Sequence, residues 1–142
     1  MIYFDSSYIV RLYYEDRGFA AVRELAATDS IVCSQHGRAE VIAALHRKSR
    51  EGNITIDQFR TALKQFSDEV EAGGFQWLNV TGSTVDRVEK VYQQLSATVF
   101  LRAADALHLA SAAENSFKEI YSNDEKLLGA AAYFGLKGVN VI

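Results

Sequence analysis

The chain has no proline, a single cysteine, no excess of basic charge and no long apolar run. Without proline, the residue that breaks helix interiors, helices can run uninterrupted. A lone cysteine, Cys33 in Ile31-Val32-Cys33, excludes an intramolecular disulfide and reads as a buried, inert thiol. A net charge of −3 and a pI near 5.6 exclude binding of nucleic acid through sheer positive charge, while leaving local basic patches open. The longest apolar runs, such as Val41 to Leu45 and Ala130 to Ala132, fall far short of the ~18 residues that span a bilayer. The opening Met1-Ile2-Tyr3-Phe4-Asp5 carries neither a basic n-region nor an apolar h-region, so a cytoplasmic protein without a membrane role is expected.

Of the 142 residues, 49% are hydrophobic and 23% charged, the balance of an ordinary globular domain, and one domain over 1–142 is the expectation. Ile2-Tyr3-Phe4 reads as a short buried strand ending at Asp5, with Ser6 as cap of a helix from Tyr8 to about Tyr14. Gly18 opens a second helical stretch, and Ile31-Val32-Cys33 gives a second strand. Ser34 is expected to cap a long helix that stops at Gly52-Asn53 and carries Glu40 in its second turn. The spacing of Ile56, Phe59, Leu63, Phe66 and Val70 marks an amphipathic helix closed by Gly73-Gly74, and Trp77 to Val80 follows as a strand. Thr81 to Ala97 reads as a helix with Val85, Val88, Tyr92 and Leu95 on its packed stripe, and Arg102 to Glu114 as another. Ile120 to Ser122, Lys126 to Phe134 and Val139 to Val141 complete the chain as strand, helix and strand. Strands alternating with helices imply an α/β fold, three layers α/β/α around a mainly parallel sheet of about five strands.

In open sheets of this kind ligands bind beyond the carboxyl ends of the strands. Asp5 and Asp124 follow strands, and Glu40 and Asp105 lie near the starts of helices, so all four reach the same rim. Taken singly, each has a structural explanation as a turn former, a helix N-terminal acid or a solvated residue. Asp105 stands out because its neighbours in Leu101-Arg102-Ala103-Ala104-Asp105-Ala106-Leu107-His108-Leu109-Ala110 are small or apolar, as in a helix buried all round. Two carboxylates 4 Å apart repel by about 4 kcal/mol at an effective dielectric near 20, so a cluster needs a cation. Oxygen ligands suit Mg²⁺ or Mn²⁺. His36, His46 and His108 show no metal-binding spacing with Cys33 and read as packing or surface residues, although His108 shares the face of Asp105.

The segments Tyr3 to Ser7, Ala39 to Val41, Leu101 to Ala110 and Ser122 to Leu127 together resemble the PIN-domain family, in particular its VapC-type toxin ribonucleases. The resemblance spans Asp5 to Gly135, with the Asp105 segment its most specific part. It implies that Asp5, Glu40, Asp105 and Asp124 bind Mg²⁺ or Mn²⁺ and position water for in-line attack on an RNA phosphodiester. It also implies a supporting role for Ser6, a homodimer, and an antitoxin that covers the site. Arg38 and Arg102, close in sequence to the acids, are the candidate RNA-binding cations.

Two rivals remain. A PIN-like domain that keeps the acids can serve as an RNA or protein adaptor without turnover. A metal-assisted phosphatase or receiver-like domain also gathers acids at strand ends, but a haloacid-type phosphatase wants an Asp two positions after Asp5, where this chain has Ser7. The glycines are too sparse for a phosphate cradle.

Overall fold

Side chains alternate faces along a strand, and here that alternation divides the core in two. The computed structural model describes residues 1–142. In β1 (Ile2–Tyr3) and its continuation Phe4, Ile2 and Phe4 join one cluster and Tyr3 the other; in β2 (Ile31–Ser34), Ile31 and Cys33 join the first and Val32 the second. The first cluster is closed by α1 (Ser6–Tyr13), α2 (Phe19–Ala26), α3 (Gln35–Arg50) and α4 (Ile56–Glu71). The second is closed by α5 (Gly82–Gln94), α6 (Ala103–Glu114), α7 (Glu125–Ala130) and the 3₁₀ turn Ala131–Phe134. The expected three layers result.

The remaining strands are β3 (Phe75–Leu78), β4 (Glu119–Tyr121) and β5 (Lys137–Val139). Every pairing is parallel: β1 with β2, β2 with β3, and β4 with β5. A parallel bridge between Phe4 and Tyr121 joins the two groups, giving the spatial order β3-β2-β1-β4-β5. The order reverses between β1 and β4, which opens a crevice beyond their carboxyl ends. No helix is long and apolar enough to cross a membrane.

Several boundaries differ from the sequence reading for identifiable reasons. Asp5, not Ser6, caps α1, because its carboxylate reaches the Tyr8 N–H. Ser34 occupies the cap position of α3 without capping it, its hydroxyl being bonded to the His36 ring instead. β3 begins at Phe75 rather than Trp77, directly after the Gly73-Gly74 turn in which Gly73 is left-handed (φ 78°), and it stops at Leu78, opposite the last residue of β2. The last strand likewise falls two residues earlier, at Lys137–Val139. A capping box between Thr81 and Thr84 starts α5 and turns Thr84 inward, where its hydroxyl donates to Glu114 at 2.8 Å. The helix is thereby rotated so that Thr84, Val88 and Val91 face the protein, while Val85 and Tyr92, expected on the packed stripe, are 52% and 41% exposed.

Candidate active site

Asp5 leaves β1 at the point where the sheet order reverses, and its backbone N–H bonds to the Tyr121 carbonyl at 3.1 Å. The side chain is almost wholly buried. Its Oδ1 accepts from the Ser7 hydroxyl at 2.6 Å and the Tyr8 N–H at 3.1 Å, and its Oδ2 accepts from the Ser122 hydroxyl at 2.6 Å. Burial pushes the carboxyl above its usual range despite these donors, which favour the anion. The Ser122 hydroxyl also accepts from the Asp124 N–H at 2.9 Å, so one fully buried serine ties the acid after β1 to the acid after β4.

Glu40 projects from the second turn of α3, and its Oε2 lies 2.7 Å from His108 Nε2. Burial alone would raise its carboxyl, but the hydrogen bonds of His108 and of Ser6 prevail and lower it. Asp105, in the first turn of α6, is 7% exposed. The Arg102 Nε donates to it at 2.7 Å, and the other side of the same guanidinium bonds Asp124. Asp124 also caps α7 by accepting from Lys126 N–H at 2.9 Å and Leu127 N–H at 3.3 Å.

All four acids, with Ser6, line one open cleft. They do not close on a single point: no three carboxylates bring oxygens within 4.8 Å of one another, whereas His36, Glu40 and His108 do bring ligand-type atoms that close. The imidazole nitrogens of that trio are already engaged. His36 bonds the Ala104 carbonyl at 3.0 Å and the Ser34 hydroxyl, and His108 bonds Tyr3 as well as Glu40. Arg102 instead bonds two acids from different elements while half exposed. Asp105 and Asp124 line the same cleft as Asp5 and Glu40, so four carboxylates are gathered there. That all-carboxylate set beside solvent fits a hard divalent cation.

Cations stand on both walls: Arg47 and Arg50 on α3, and Arg102 and Lys126 on the opposite side. Arg38, expected near substrate, is half-buried on α3 and is not among the residues lining the cleft. Ser7 in the first turn of α1, and Ser122 and Asn123 after β4, were not read as site residues because a single serine or asparagine carries no periodic signal.

The parallel sheet thus reverses beside an acidic cleft with cations on both walls. The sequence model of the PIN domain matches residues 2–132, and the chain belongs to that family. No curated protein sequence matches the chain. Among solved structures, VapBC2 from Rickettsia felis bound to a promoter DNA fragment aligns over 100% of both chains at 15% identity and a TM-score of 0.70. A toxin–antitoxin complex from Klebsiella pneumoniae covers 98% of this chain and 96% of its own at 17% identity and a TM-score of 0.64. VapC20 from Mycobacterium tuberculosis, described as a sarcin–ricin loop cleaving toxin, covers 92% and 95% at 18% identity and a TM-score of 0.67. At these identities the likeness is one of fold.

Proposed function

We propose that the chain is a Mg²⁺- or Mn²⁺-dependent endoribonuclease and the toxin of a toxin–antitoxin pair. The observation that carries the reading is the meeting, in one cleft of a PIN domain, of four acids from segments far apart in sequence. Nucleases of the family generally use a divalent metal. Such an ion supplies a lowered water pKa and positive charge beside the phosphate. The chain's own residues supply the rest. Ser7, Ser122 and the Tyr8 N–H aim Asp5, and His108 aims Glu40. Arg102 exchanges its carboxylate partners for a substrate phosphate, with Arg47, Arg50 and Lys126 flanking the strand.

Labelled RNA incubated with purified protein and Mn²⁺, with and without chelator, tests this. Cleavage that stops with chelator and in Asp105→Asn is expected; equal cleavage by wild type and mutant overturns it. The ion pairs of Arg102 favour one rival, an adaptor that binds RNA without turnover, and that rival predicts chelator-insensitive binding and intact RNA. The toxin assignment draws on the toxin–antitoxin complexes among the structural neighbours. It expects a short DNA-binding protein, encoded beside this chain, that copurifies with it and blocks cleavage. The homodimer belongs to the same reading, with sedimentation of the free chain as its test.

A further inference from the structure

His108 is a fully buried histidine whose two ring nitrogens both have partners, and those partners fix which way it points. Nε2 faces Glu40 at 2.7 Å and Nδ1 faces the Tyr3 hydroxyl at 3.1 Å. Tyr3 is itself buried, and its oxygen accepts from the Ser34 backbone N–H at 3.1 Å. Glu40 Oε2 is a carboxylate oxygen and can only accept, so the 2.7 Å contact requires a hydrogen on His108 Nε2, whatever Nδ1 carries toward Tyr3. A chain of bonds thus links a main-chain amide at the end of β2 to a side chain across the cleft through two intermediates.

The space for the ring is also built. Gly37, inside α3, has no left-handed backbone to explain it, and glycine there costs about 1 kcal/mol against alanine. A Cβ at position 37 would stand 2.9 Å from His108 Cε1 and 2.5 Å from Cys33 Sγ. Helix propensity is given up where the imidazole needs room. His36 packs against the same ring at a centroid distance of 4.2 Å and holds the Ala104 carbonyl, one residue before Asp105.

We propose that His108 is the positioning residue of the site: it donates Nε2–H to Glu40, in a slot opened by Gly37 and with its ring held from the other side by Tyr3. The proposal rests on reading Glu40 as a metal-binding acid. Groups that orient metal ligands change affinity or activity by about 10- to 100-fold when removed.

The test uses the whole chain. In the metal-free protein, long-range ¹H–¹⁵N correlation of the His108 ring is expected to show a protonated Nε2; a bare Nε2 overturns the proposal whatever the protein does to RNA. Mn²⁺ affinity by electron paramagnetic resonance then compares His108→Gln, whose amide nitrogen sits as many bonds from Cα as Nε2, with His108→Asn, which mimics Nδ1. Gln is expected to stay within a few-fold of wild type and Asn to lose about tenfold or more. Equal Mn²⁺ affinities for the two variants overturn the proposal. Should neither variant fold, Tyr3→Phe leaves the imidazole in place without its second hold and is expected to weaken Mn²⁺ binding severalfold; an unchanged Mn²⁺ affinity overturns the chain of bonds. A wild type that binds no Mn²⁺ and cuts no RNA overturns the metal reading instead, and the ring correlation tells the two failures apart.

Discussion

Ser122→Ala is the most informative single change outside the acids. The hydroxyl is fully buried and makes two bonds: it donates to Asp5 Oδ2 at 2.6 Å and accepts from the Asp124 N–H at 2.9 Å. A hydrogen bond to a charged group contributes about 1.5–3 kcal/mol, and a stranded buried N–H costs on the order of 1 kcal/mol. The sum is a loss of about 2–4 kcal/mol, large against the 5–15 kcal/mol typical of a domain but short of unfolding it. Urea denaturation at neutral pH measures it. The same substitution made in an Asp5→Asn background should cost at least about 1 kcal/mol less, because the bond to a neutral amide lacks the charge term. A loss below about 0.5 kcal/mol, or an equal loss in both backgrounds, would refute the idea that the Ser122 hydroxyl acts through Asp5.

The stability difference between Asp5→Asn and wild type should depend on pH. The folded-state carboxyl is raised above 3.8 by burial, so the folded wild type loses stability as pH rises from there through the raised value. The mutant escapes that loss, so the difference in urea midpoint should move in the mutant's favour as pH rises; a difference independent of pH contradicts the assignment. Gly37→Ala should destabilise by about 1–3 kcal/mol despite its better helix propensity, since Cys33 and His108 stand 2.5 and 2.9 Å from the added carbon. A more stable mutant in thermal melts would show that the slot has slack. Arg102→Ala should raise Mn²⁺ affinity in the absence of RNA, because its guanidinium competes for Asp105 and Asp124, while weakening RNA binding severalfold in filter assays. Movement of both affinities in the same direction would contradict the exchange role.

The layout of strands and the acids at their ends were legible because both rest on local pattern. Ile2-Tyr3-Phe4 before Asp5 announces a buried strand and its exit, and the apolar surroundings of Asp105 announce a carboxylate with something to do. What stayed hidden depends on partners remote in sequence. His108 looks like a core residue in an all-buried helix, and its partners are Glu40, 68 residues away, and Tyr3, 105 away. Ser122 reads as the end of a strand until folding brings it under Asp5, 117 residues away. The stripe of α5 was misassigned because Thr84, polar by type, is drawn inside by its bond to Glu114. Arg38 looked well placed by its proximity to Glu40, yet two positions along a helix turn a side chain about 200° away.

Anomalous diffraction from crystals grown with Mn²⁺ addresses the central claim most directly. The account predicts one or two peaks among Asp5, Glu40, Asp105 and Asp124, with Arg102 swung off the carboxylates and His108 still on Glu40. A peak ligated by His36 and His108, or no peak while Arg102 keeps both of its acids, would contradict it.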